Sequence, residues 1–193
     1  MSPNPREQEL LSQSQLLADT VSKLFRERGE IEFSKAPLLT KRPIVEYNGR
    51  MRADGMEKFN NPTFVAFINF YLDAAAMGKH NALGAIIVYV EQDYVPIIFR
   101  KLRYPAVDDE NNKAMCDACG ALCNIIAGAF KSALVNKGYK ELEMSHFLSY
   151  RNTAANGAEF NYKEYDKYEI CFEMDNIKRL VLELTMAPIP KGR

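Results

Sequence analysis

The chain of 193 residues carries 25 Lys and Arg against 25 Asp and Glu, so its formal net charge is zero. That balance argues against a nucleic-acid binder working through a broad basic field. The length suits one domain with a core large enough to fold without staples, and four cysteines, three of them bunched, do not make a secreted disulfide pattern.

The opening residues, MSPNPREQELL, are polar and acidic and unlike a signal peptide, so a cytosolic soluble protein is expected. In 6–29 apolar residues recur at Leu10, Leu11, Leu16, Leu17, Val21, Leu24 and Phe25, steps of three and four that predict an amphipathic helix stopped by Gly29. IEFSKAPLL and RPIVEYNGRMR predict short strands punctuated by Pro37 and Pro43. The most apolar segment is PTFVAFINFYLDAAAMG, 62–78. Asn69 and Asp73 interrupt it and it is short for a bilayer, so no membrane insertion is expected. Asn61-Pro62 reads as a helix start and Gly78 as a stop, which predicts a second, well-buried helix.

ALGAIIVYVEQ, 82–92, is a β-branched run of strand length. In DYVPIIFRKLRYP, Pro96 and Pro105 suit a short helix capped by Asp93, a strand being the other reading. AVDDENNK is a polar loop, and a long helix follows from about Asn112 to Gly138. The last third predicts strands around 141–150, 157–163, 167–174 and 178–186, with turns at Asn156-Gly157 and Asp175-Asn176, the latter a tight hairpin. The expected class is α+β (α/β): an antiparallel or mixed sheet packed against the 112–138 and 62–78 helices. Residues 1–60, a helix and short strands, join the domain of 61–193, with the N-terminal helix an arm open to dimerisation or partner binding.

The long helix has two unlike faces. Met115, Cys116, Cys119, Leu122, Cys123, Ile126, Phe130, Ala133 and Leu134 share one broad apolar stripe, where free cysteine behaves as a small hydrophobe. The competing reading is C-x2-C-x3-C with Cys171 as a fourth ligand, holding a metal or sensing redox state. Against it, no second C-x2-C unit exists and neither His80 nor His146 is near in sequence, so no metal ligands are assigned. On the other face Asp117, Ala121, Asn124, Gly128 and Lys131 cluster, flanked by Ile125. Small side chains there let another backbone approach closely, and the Asn124 carboxamide stands in the middle; a solvated helix face is the plain alternative.

The segment DACGALCNIIAG, Asp117 to Gly128, resembles the signature helix of the CheC/CheX/FliY family of chemotaxis phosphatases: an Asp or Ser, three residues, a Glu, two residues and an Asn. GAIIVYVEQDYVPIIFRKL, GYKELEMSHFLSY and YEICFEMDNIKRLVLEL extend the resemblance over roughly 82–188. The resemblance implies docking of this helix onto a CheY-type receiver domain or a flagellar-switch-like protein. Asn124 would then orient water toward an aspartyl phosphate, which an amide can do because it both donates and accepts. The family's Glu, which pairs with a receiver lysine, is Ala121 here, and Phe147 stands where a proline is expected. The implied cofactor set is therefore empty, Mg2+ belonging to the receiver. Ala121, Gly128, Ile125 and Lys131 become the partner-binding positions, with Asn124 and Asp117 as the catalytic pair. A receiver-binding bacterial signalling protein with phosphatase activity weakened or lost is the expectation. An active phosphatase, with Asp117 reaching the lysine, is the alternative. Members can dimerise through sheet edges, so the resemblance also allows a homodimer. A second E-x2-N, Glu57 to Asn60, is disfavoured because its Asn would open a helix instead of standing within one.

Overall fold

The computed structural model describes residues 4–151 and 157–192. A 25-residue helix α1 (Pro5–Gly29) is followed by strand β1 (Leu38–Pro43) and a two-residue hairpin, β2 (Glu46–Tyr47) and β3 (Arg50–Met51). The hairpin turns on Asn48-Gly49, both at positive φ (50° and 71°), the geometry that favours Asn-Gly. Then come the single-turn helix α2 (Met56–Phe59), strand β4 (Thr63–Tyr71), helix α3 (Ala74–Gly78), strand β5 (Gly84–Glu91) and helix α4 (Val95–Lys101). The long helix α5 (Asn112–Asn136) leads to β6 (Glu143–Met144), β7 (Leu148–Arg151), β8 (Asp166–Met174) and β9 (Ile177–Met186).

The main sheet runs β1-β8-β9-β5-β4, with β6 and β7 both on the outer side of β4, and all its pairings are antiparallel. Alternate residues divide between two layers. Phe64, Ile68, Ile86, Val88, Phe172, Leu180 and Leu182 point to a front core shared with α1, α4 and α5. Val65, Phe67, Ile87, Tyr89 and Val181 point to a smaller back core closed by Met51, Ala53, Ala158 and Phe160. The helix α1 contributes Leu10, Leu17, Ala18, Val21 and Phe25 to the front core.

Several elements differ from the sequence expectation. Residues 62–71 form β4, and only 74–78 are helical. All nine residues of β4 are buried because both of its faces are covered, which removes the alternation that marks a half-exposed strand. Segment 157–163 is not a strand: its backbone makes one bridge, Ala158 to Met51, as it crosses the back of the sheet. The run 141–150 breaks into β6 and β7, and 31–39 turns to strand only at Leu38. Asp93 lies in a 3-10 turn ahead of α4, whose N-cap is Tyr94. The expected turn at Asn156-Gly157 includes Asn156, which lies outside the described residues. The Asp175-Asn176 hairpin is present, with both residues at positive φ (54° and 60°).

Candidate functional site

The helix α5 is placed by its ends and its stripe. Asn111 caps it, its Oδ1 accepting from the backbone N–H of Lys113 (3.0 Å) and Ala114 (3.1 Å). Met115, Cys119, Leu122, Cys123, Ile126, Phe130 and Leu134 are buried against the sheet, as 3.6-residue periodicity requires. Among the described residues this is the one helix long and apolar enough to cross a bilayer, and its apolar side lies in the protein core.

The stripe settles where the cysteines stand. Burial pushes the thiols of Cys119 and Cys123 well above their ordinary value, so both remain neutral packing groups. Cys116 is half-buried, and burial together with the nearby Asp117 raises its thiol too. Cys171 lies on the back of the sheet with its Sγ 3.8 Å from Glu169, so it cannot complete a ligand set with the three front-layer cysteines. Among the described residues no three His, Cys, Asp or Glu come together as a metal set.

The other side of α5 faces outward. Asp117 and Asn124 are exposed; Ala121, Ile125, Gly128 and Lys131 are half-buried. Neither Asp117 nor Asn124 makes a side-chain hydrogen bond or ion pair with any described residue. Lys131 is not free: its Nζ lies 3.0 Å from Glu141. A Cβ added to Gly128 would meet nothing within 4 Å, so no neighbour demands glycine there and the surface is left low. Gly120 is the opposite case. A Cβ there would lie 2.1 Å from two ring carbons of Phe147. The sequence shows Phe147 as a departure from a familiar pattern, but its partner Gly120 carries no signal readable without the fold.

Glu57 and Asn60 lie apart from this face. Glu57 sits in α2, 3.8 Å from Arg52, and Asn60 ends that helix in the left-handed conformation (φ 57°). The expectation of a helix start at Asn60 is thus inverted, because the following residues are strand.

No protein-family model matches the sequence, and no curated protein matches it. Solved structures do match, across almost the whole chain. Thermotoga maritima FliY superposes with a TM-score of 0.57 at 12% identity, over 97% of this chain and 93% of that one. The chemotaxis protein CheX from Vibrio vulnificus gives 0.55 at 11% identity, over 90% and 97%. The CheX–CheY–BeF3–Mg2+ complex from Borrelia burgdorferi gives 0.51 at 15% identity, over 90% and 97%. The fold is that of the CheX, CheC-like and FliY proteins. In this CheX-type fold the helix that carries Asp117 and Asn124 packs across the sheet and turns a small, sparsely polar face to solvent.

Proposed function

We propose that this protein binds a CheY-type receiver domain through the outer face of α5 and presents Asn124 to the receiver's phosphorylated aspartate. The observation that carries the reading is Asn124 itself: a mid-helix carboxamide, exposed, without a partner among the described residues, on a low stripe flanked by Ala121 and Gly128. The likeness of fold to a CheX solved with CheY supports the choice of partner. The likeness to FliY supports a flagellar-switch-like setting as the variant of it.

An amide held in a protein–protein interface can accept from and donate to one water and align it with a phosphoryl group. Mg2+ belongs to the receiver, and no residue of this chain is assigned to hold it. What this chain lacks is a carboxylate one turn from Asn124, because Ala121 ends at a methyl group. A desolvated lysine across the interface would go unpaired, at about 2–5 kcal/mol. Binding with weak or no hydrolysis is therefore the proposed activity. Asp117, exposed and without an ion-pair partner among the described residues, stands one turn before Ala121 and supports the second reading, in which it supplies the missing charge.

The test is the decay of an acyl-phosphorylated receiver with and without the protein. We expect binding with little acceleration for the wild type, and acceleration by about tenfold or more for Ala121→Glu. Asn124→Ala should abolish that gain. Strong acceleration by wild type that disappears in Asp117→Asn would establish the second reading instead. Absence of binding to any cognate receiver would overturn both.

A further inference from the structure

We infer that Phe147 is a positioning residue for Asn124, acting through the backbone of α5 where its ring seats on Gly120; the inference rests on the receiver-binding reading above. Gly120 stands one helical turn before Asn124. A Cβ at Gly120 would lie 2.1 Å from Phe147 Cδ2 and Cε2 and 2.7 Å from Cζ, so the ring lies directly on the helix backbone. Glycine inside a helix is unfavourable relative to alanine. Here the absence of a side chain is what lets an aromatic ring close that flank.

A polar tie lies further along α5 beyond this contact. Lys131 Nζ pairs with Glu141 at 3.0 Å. Asn124 falls between the ring contact and the lysine tie. The core side of α5 rests in part on unbranched or γ-branched chains such as Met115 and Leu122, which repack when a helix shifts slightly. A ring against backbone has no such freedom. Because the Asn124 carboxamide has no partner among the described residues, its position is the position of the helix. Misplacement of an orienting group by about 1 Å costs on the order of a hundredfold in a geometry-dependent step. The contact is only partly buried, so it acts at the edge of the docking face and not in the deep core.

The experiment measures the affinity of the full chain for a CheY-type receiver with Mg2+, in the presence and absence of beryllofluoride as the phosphoryl mimic. Asn124 contributes to the preference for the loaded receiver, and Asn124→Ala sets the floor. We expect Phe147→Ala to lower that preference about tenfold while affinity for the unloaded receiver stays within about twofold. Phe147→Leu should restore most of the preference. Gly120→Ala, which drives the ring off from the other side, should reproduce the loss, and the double variant should be no worse than either single one. An equal loss for loaded and unloaded receiver would overturn the inference, since Phe147 would then be a docking contact or a fold element. An unchanged preference in Phe147→Ala overturns it alone. A wild type with no preference at all overturns the receiver reading and this inference together.

Discussion

The front and back of the main sheet are covered by different chemistry. The front is closed by helices and an almost wholly apolar core, including two neutral cysteines. The back is closed by loops and a hairpin, and at its centre lies a fully buried carboxylate. Glu183 accepts from Lys58 Nζ (2.7 Å) and the Tyr89 hydroxyl (2.7 Å) and pairs with Lys167 Nζ (2.8 Å), and Lys58 also pairs with Glu169. Burial alone would raise the Glu183 pKa. The Lys167 and Lys58 ammonium groups outweigh it and hold the carboxyl below its ordinary value. On the back, α2 is fastened by the Lys58 ion pairs as well as by Phe59 against the apolar cluster, where α5 is fastened by area.

The back of the sheet is most sensitive at Glu183. Glu183→Ala leaves Lys167 without its acceptor and Lys58 with Glu169 alone, and should lower stability by about 3–5 kcal/mol in urea denaturation. The wild type should show the same dependence in acid. A carboxyl with a depressed folded pKa stabilises fully above its ordinary value of 4.5, and that contribution is lost as the pH falls through the lower folded value. Lys58 behaves conversely. Burial works against its charge, but Glu183 and Glu169 raise its pKa, so its contribution is complete below 10.5 and disappears as the pH rises through the higher folded value. Unfolding midpoints measured across acid pH would refute this if they did not fall.

On the front face, Cys119→Ser puts a hydroxyl into an apolar layer and should cost about 1–3 kcal/mol. A neutral outcome would show that the stripe is polar enough to serve a ligand. Thiol labelling of the native protein sharpens the same point: Cys116 and Cys171 should react first, and Cys119 and Cys123 only on unfolding. The smallest effect is expected at the surface of α1. The Lys23–Glu27 pair, 3.8 Å apart and well exposed, should contribute no more than about 0.5 kcal/mol, so Glu27→Gln should barely move the midpoint.

Much of this was legible wherever a single period governed the residues. The helices α1 and α5, strands β5, β8 and β9 and the Asp175-Asn176 turn follow from local pattern. So does the division of α5 into a cysteine side facing the core and an Asn124 side facing out. The strand β4 failed that test because burial on both faces erased its period, and Asn61-Pro62 before it imitates a helix start. The seat of Phe147 on Gly120 and the meeting of Lys58 with Glu183, 125 residues apart, are products of the assembled sheet and leave no mark on local sequence.

The order of the sheet bears on how the chain is made. The strand β9 follows every other described strand in the chain yet lies inside the sheet, between β8 and β5. Until the ribosome has released it, β5 has an open edge lined by Ile86, Val88 and Val90, and β1 waits for β8, which arrives just before β9. Such an edge is a template for pairing with another nascent chain. Cotranslational protection of that edge, by slow elongation or by a chaperone, should therefore matter more for soluble yield than any single contact in the finished fold.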